Sequence, residues 1–456
     1  MNKTTAIWLV FGILMIGWGE YFSKSPFFWG SLNLNTLVGY LGWLGLVIGL
    51  ILWGGRSKHK ILSNLSFSVA GLLFFWFLVE IICFLVIKLG VLQTSAPFHS
   101  RLLLYHNWYS DKRPFWGDYS KFSGRWRMPY DTLINVPCHG DTVIITTNSF
   151  GMRDRERDLK NNTSQKRVAM LGDSFLEGYI VNTPQRHSDL LETATQAEHL
   201  NFGLNGTSVI NYYLTYKHLA KRFEHDVVTV AILPANDFED YTSQQKISLM
   251  EYPIYRPYWE GDFPNVSLQY SLAHIGQSIA SPPNHTRPRH TQQVVDSIYR
   301  SLPLIEQIRA EWHLNSYLNA CLRHGVSQLT KSRIAQTGSF SKEFFESRWP
   351  AFEYSLEQLA KEAKGKKVFF YVIPILSDLE AYDKNRTDDL SPRLEKLCQK
   401  YNIMYINTLP IFHAKGREVW SKLYEPCDGH WTAAGEKMMA EILLSTPAYR
   451  RALELP

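Results

Sequence analysis

The chain is poor in cysteine, with five in 456 residues, and none has the spacing of a zinc ligand set. No metal is therefore expected, and no organic cofactor is implied. A Lys/Arg-rich run is also missing, as is any platform of interleaved aromatic and basic residues. The 48 Lys+Arg against 42 Asp+Glu leave a net charge of only +6. A nucleic-acid partner would call for clustered positive charge, so none is expected. No internal repeat is present.

Apolar and aromatic residues are abundant, with 14 Trp, 24 Tyr and 25 Phe. Near the N-terminus, "TAIWLVFGILMIGWG" (Thr5 to Gly19), "LVGYLGWLGLVIGLILWG" (Leu37 to Gly54) and "FSVAGLLFFWFLVEIICFLVI" (Phe67 to Ile87) are three apolar runs. A bilayer span needs about 20 apolar residues, so three transmembrane helices are expected within residues 1–92. The first run is shorter, but "GWGEYF" is a poor signal-peptide cleavage site and two further runs follow. Arg56, Lys58 and Lys60 lie between the second and third runs, against Lys24 alone between the first and second. The positive-inside rule then places the N-terminus in the cytoplasm and everything after the third run outside, in the periplasm of a bacterium. Glu80, a carboxylate inside the third run, has two readings: a functional group of the membrane domain, or an acid hydrogen-bonded within a packed bundle. Cys83 falls in the same run. Cys138, Cys321, Cys398 and Cys427 would then face an oxidising compartment, where four thiols allow three pairings.

Residues 98–165 read as an extracytoplasmic lead-in with strand-like pieces such as "DTVIITTN" (Asp141 to Asn148). From 166 to 447 the pattern changes to short apolar strands alternating with helices. The strands expected are Val168 to Leu171, His199 to Leu204, Val227 to Leu233, Lys367 to Ile375 and Ile403 to Ile406. The helices expected are Ser188 to Glu198, Ile210 to Phe223, Phe352 to Lys364, Pro392 to Tyr401 and Ala433 to Leu444. Continuous apolar strands such as "VVTVAIL" fit burial on both faces, so an α/β fold with a parallel sheet flanked by helices is expected. An insertion at about 238–350 interrupts the rhythm. It holds the Pro- and His-bearing "SPPNHTRPRHTQ" (Ser281 to Gln292), read as a solvated loop, and a helical patch near Leu304 to Leu322.

In such a sheet, chemistry gathers at the carboxyl ends of strands. The first strand ends in "GDS", which puts Ser174 at a tight turn and the start of a helix; the second leads to Gly206, and the third to Asn236 and Asp237. Just before the last helix, Asp428 and His430 are separated by one residue. A serine hydroxyl needs an adjacent base, and the base needs a carboxylate to hold its tautomer. The backbone N–H groups of Ser174 and Gly206 with the Asn236 amide would supply an oxyanion hole. Each piece alone has a plain reading: a helix cap, a turn, a surface histidine. Their occurrence in this order on successive strand ends is what favours catalysis.

The blocks "LGDSFLEG", "NFGLNG", "LPAND" and "CDGHWTAAG" resemble those of the SGNH, or GDSL-type, esterase/acyltransferase superfamily. The resemblance covers roughly Asn148 to Leu444 outside the insertion, and "TNSFGMRDRE" is similar to the lead-in of membrane-linked members. It implies an SGNH-hydrolase-like, flavodoxin-like fold with Ser174 as nucleophile, Asp428 and His430 completing the triad, and Gly206 and Asn236 in the oxyanion hole. With Leu176 two residues after Ser174, the G-x-S-x-G elbow of α/β-hydrolases is absent. Two departures stand out: Asn236 sits in P-A-N-D where G-x-N-D is common, and D-x-H replaces the usual D-x-x-H. The D-x-H-W form is similar to the branch holding alginate-type O-acetyltransferases of the bacterial envelope, which favours acyl transfer over simple hydrolysis. The function expected is a membrane-anchored esterase or O-acyltransferase acting on O-acyl, chiefly acetyl, esters of envelope or secreted glycans. Lipid esters are a further substrate class, and a partner membrane acyltransferase would supply the acyl donor. The competing reading is a catalytically silent glycan-binding or assembly component of the same fold. A transport role for the apolar helices has little behind it beyond Glu80.

Overall fold

The three apolar runs near the N-terminus all fold as helices: α1 (Lys3–Phe22), α2 (Leu34–Gly54) and α3 (Lys60–Lys88). The computed structural model of the chain describes residues 3–22, 28–29, 32–89, 91–92, 119–120, 122–127, 129–135, 141–238, 256–270, 317–319, 321–322, 325, 338–426 and 428–455. These group into two units. One comprises Met1–Phe115, Ser248–Tyr252 and Pro288–Thr330; the other comprises Trp116–Ile247, Pro253–Arg287 and Lys331–Pro456. Cys138, Cys427 and the 281–292 loop lie outside the described residues, as does most of the helical patch expected near 304–322.

Among the described residues, one helix is long and apolar enough to cross a membrane: α3 over Lys60–Ile87, with mean hydropathy 2.7. The apolar stretches of the other two, Lys3–Ile16 and Val38–Gly54, are shorter. Ile61, Leu65, Leu72 and Phe75 of α3 are each more than half exposed. A core helix of a water-soluble protein buries such side chains. Glu80 is the carboxylate within the apolar run of this helix. It is buried, and its Oε2 accepts hydrogen bonds from the backbone N–H groups of Tyr317 (2.7 Å) and Leu318 (3.2 Å). Its carboxylate is thus hydrogen-bonded within a packed cluster, to a segment of the insertion.

The second unit is built on five parallel strands: β1 (Arg167–Gly172), β2 (Glu198–Gly203), β3 (Val227–Ile232), β4 (Lys367–Val372) and β5 (Met404–Ile406). Their order is β5-β4-β3-β1-β2, the flavodoxin-like doubly wound arrangement. Every residue of β1 and β3 is buried. Helices therefore cover both faces, as parallel strands without alternation require. The covering helices are α5 (His187–Thr195), α6 (Val209–His218), α7 (Trp349–Glu362), α8 (Leu390–Lys400) and α9 (Ala433–Ser445), with the single turn α4 (Ser174–Glu177) following β1. In α8 the buried Leu390, Leu394, Leu397 and Cys398 recur at helical spacing and form its inner face.

Element ends differ from the sequence reading where backbone chemistry intervenes. The helix expected to reach Glu198 stops at Thr195, because Gln196 adopts a left-handed φ of 59° and Glu198 already opens β2. The helix expected to run to Phe223 ends at His218, and a short 3-10 turn, Ala220–Arg222, follows it. The strand expected to reach Ile375 ends at Val372, two residues before Pro374, which has no N–H for a ladder. In the lead-in, Val143–Thr146 pairs antiparallel with Thr132–Asn135.

Gly203 closes β2 against α4. A Cβ there would lie 2.5 Å from the Glu177 backbone N and 2.8 Å from the Leu176 carbonyl carbon, neither of which can move aside freely. Gly203→Ala is expected to destabilise this unit by about 1–3 kcal/mol, read as a lowered unfolding midpoint in urea; an unchanged midpoint would show that the β2–α4 contact has slack.

Candidate active site

β1 delivers its last residue, Gly172, to the carboxyl edge of the sheet, where the chain turns at once into α4. Asp173 caps that turn: its Oδ1 accepts from the Phe175 N–H at 3.0 Å. The other oxygen, Oδ2, accepts from the Asn236 side-chain amide at 3.1 Å. Ser174 is thereby fixed as the first residue of α4, buried to 4 % exposure. Asn236 comes from the one-turn helix Pro234–Asp237 just past β3. β1 and β3 are adjacent although β2 lies between them in sequence, so Ser174 and Asn236 meet at the topological switch point of the sheet.

Gly206 lies in the turn after β2, and that turn is anchored on either side. The Asn205 N–H donates to Glu177 Oε2 at 2.8 Å, and the Thr207 hydroxyl donates to the Leu204 carbonyl at 2.5 Å. Glu177 is fully buried at the end of α4, and its Oε1 accepts from Arg127 Nε at 2.6 Å. One carboxylate therefore ties the helix bearing Ser174 to the turn bearing Gly206, with an arginine balancing its charge.

His430 arrives from the far end of the chain, and Nε2 of its ring sits 2.7 Å from Ser174 Oγ. Its Nδ1 is hydrogen-bonded to Asp428 Oδ1. With only one residue between acid and base, the chain must fold back sharply. Gly429 does so with φ +84°, a conformation that side-chain-bearing residues rarely take. Glu425 closes the loop from beneath: its Oε2 accepts from the Asp428 N–H at 2.9 Å and its carbonyl from the Gly429 N–H at 2.7 Å, while its own N–H donates to the His430 carbonyl at 2.8 Å. The His430 ring rests near Phe175 (4.9 Å between centroids) and Tyr179 (5.4 Å).

Below the loop, buried Trp431 stacks on Phe412 and meets Phe175 edge-on. The following helix, α9, is pinned by Glu436, whose Oε2 accepts from the His187 backbone N–H at 2.9 Å and pairs with His187 Nδ1 at 2.5 Å. His187 Nε2 in turn lies 2.9 Å from the Tyr371 hydroxyl on β4.

The carboxylates of the site titrate differently. Burial raises the pKa of Asp173 to about 6, against the opposing pull of the Phe175 N–H and the His430 charge. Burial works in the same direction on Asp428, but the hydrogen bond and charge of His430 outweigh it and hold this carboxyl below its ordinary range.

Ser174, His430 and Asp428 are thus joined in one hydrogen-bonded chain; Asn236 is bonded to Asp173, the residue preceding Ser174, and Gly206 lies on the neighbouring turn. Such an arrangement can pass a proton from a serine hydroxyl to an imidazole whose tautomer a carboxylate fixes. Sequence reasoning passed over Asp173, Glu177, Arg127, Glu425 and the His187–Glu436 pair. Asp173, Glu177 and Glu425 lie within or beside the quoted blocks, so an acidic residue next to each turn was the available signal; Arg127 and His187 carry none. Among the described residues there is no group of acidic, histidine and cysteine side chains that could hold a metal ion.

No protein-family model matches the chain, and no curated relative does. Solved structures similar to it include a member of the lipolytic G-D-S-L family from Veillonella parvula, at 11% identity and TM-score 0.28, with 62% of this chain and 98% of that chain covered. A second, assigned to the G-D-S-L lipolytic family, is from Desulfitobacterium hafniense, at 12% identity and TM-score 0.28, with 63% and 100% covered. A third, described as an acylhydrolase, is from Bacteroides fragilis, at 12% identity and TM-score 0.28, with 64% and 91% covered.

The raised Asp173 pKa sets a stability profile. Its folded-state value, about 6, lies above the ordinary 3.8, so its contribution is complete below pH 4 and is lost as pH rises through 6. Asp173→Asn removes this loss. The stability of the variant relative to the unsubstituted protein is expected to improve by roughly 2 kcal/mol between pH 4 and pH 7.5, measured by urea unfolding at both; a constant difference would show that Asp173 titrates normally.

Proposed function

We propose that the chain is a membrane-anchored serine enzyme that cleaves or transfers O-acyl groups. The observation that carries this reading is the 2.7 Å approach of His430 Nε2 to Ser174 Oγ, with Asp428 on the opposite ring nitrogen. Ser174 Oγ attacks the ester carbonyl and its proton passes to His430 Nε2. Asp428 keeps the Nδ1–H tautomer and stabilises the imidazolium. The oxyanion forms between the backbone N–H groups of Ser174 and Gly206 and the side chain of Asn236, which the bond to Asp173 holds at the switch point. Collapse expels the alcohol, which takes the proton from His430 and leaves an acyl-serine. An acceptor hydroxyl then gives its proton to His430 and attacks the acyl-serine carbonyl; collapse breaks the bond to Ser174 Oγ, which takes the proton back from His430. Water as acceptor makes an esterase, and a sugar hydroxyl makes a transferase.

The preferred substrates are acetyl esters of envelope or secreted glycans, with lipid esters as the further class. This rests on the D-x-H-W block and on the apolar helices. In this reading all three helices cross the membrane with the N-terminus in the cytoplasm, the second unit lies in the periplasm, and a partner membrane acyltransferase delivers the donor. Residues 1–92 are the membrane domain, 98–165 the lead-in, and 166–447 the catalytic domain with its insertion.

The full chain in detergent is expected to release p-nitrophenol from the acetyl ester. Ser174→Ala and His430→Ala should each reduce turnover at least about 10³-fold, and retained turnover in both would remove the triad. Asn236→Ala is expected to lower kcat by about 10²- to 10³-fold; a change confined to KM would place Asn236 in substrate binding instead. With oligosaccharide present, acetylated sugar among the products favours transfer, and acetate alone favours hydrolysis.

A further inference from the structure

Within the first unit, one face of α3 carries Glu80, Cys83 and Phe84, residues three and four apart. All three engage the same short piece of the insertion. Glu80 accepts from the backbone N–H groups of Tyr317 and Leu318, and the Phe84 ring meets the Tyr317 ring edge-on at 5.0 Å. Cys321 lies four residues beyond Tyr317. Its side chain and that of Cys83 pack against the same apolar cluster around Ile87 and Tyr317. Both cysteines are half-buried free thiols, whereas Cys398 is sealed within the core of the second unit.

Two thiols brought together from positions so distant in sequence, on a carboxylate-anchored contact, form a site for a specific oxidation. We propose that Cys83 and Cys321 are a redox-closable pair, joined by thiol–disulfide exchange with a small-molecule or protein disulfide donor. In the first step the thiolate of one cysteine attacks the donor disulfide, forms a mixed disulfide and expels one donor thiolate. The thiolate of the other cysteine then attacks the protein sulfur of that mixed disulfide and expels the second. The two cysteines lose two electrons and two protons, and the donor disulfide gains both as two thiols. The product is a covalent staple between α3 and the insertion. The two N–H bonds to Glu80 align it by holding Tyr317 and Leu318 on the helix.

The test uses the full chain in detergent, treated with oxidised glutathione, quenched with N-ethylmaleimide, digested and read by mass spectrometry. The expected result is a peptide linking Cys83 to Cys321 that dithiothreitol removes and Cys321→Ser abolishes. Glu80→Ala is expected to slow its formation several-fold. Both cysteines recovered as maleimide adducts after donor treatment would overturn the proposal, as would Cys321 joined to a different cysteine. An unchanged rate in Glu80→Ala would overturn the part assigned to the carboxylate.

Discussion

The hydrogen bond between Ser174 and His430 joins residues 256 positions apart, and the architecture of the second unit serves to hold its two ends in register. A tether of that length has no local enforcement. Each end must be immobilised by its own surroundings before a 2.7 Å contact can persist. On the serine side this is done by the end of β1, the Asp173 cap and the Asn236 amide. On the histidine side it is done by the Glu425-closed loop, by Trp431 wedged among aromatic rings, and by α9 tied to α5 through Glu436 and His187.

Buried carboxylates recur around this contact, and each is compensated differently. Glu177 has an arginine and a backbone N–H. Glu425 has backbone N–H groups of its own loop. Glu436 has a histidine that is itself anchored to a tyrosine. A buried charge is costly unless paired and hydrogen-bonded, so such groups tolerate little displacement of their partners. They give the site stiffness that apolar packing alone would not supply. Asp173 has the Phe175 N–H and the Asn236 amide as neutral donors, and burial raises its proton affinity.

The parts of the fold legible in the sequence were those with a local cause. Val227 to Ile232 reads as a doubly covered strand because nothing polar but Thr229 interrupts it. The position of Ser174 follows because an apolar run stops at Gly-Asp. What resisted reading was determined from afar or by backbone conformation. The end of α5 depends on Gln196 in a left-handed state that glutamine does not advertise. Arg127 meets Glu177 across 50 positions, and Glu80 meets Tyr317 across 237, so neither partner is marked by spacing or pattern. The D-x-H spacing is visible in the sequence, but the contact across it depends on the positive φ of Gly429, a backbone state set by the fold.

The length of α3 has a consequence for Glu80. The helix climbs about 1.5 Å per residue, so twenty residues from Lys60 to Glu80 rise about 30 Å, close to the thickness of a hydrocarbon core. With Lys60 at one headgroup layer and the helix upright, Glu80 reaches the opposite one. A carboxylate that looks mid-span in the apolar run would then sit at the far boundary of the hydrocarbon layer. The remaining two turns, through Lys88, would stand clear of the lipid as a short apolar post.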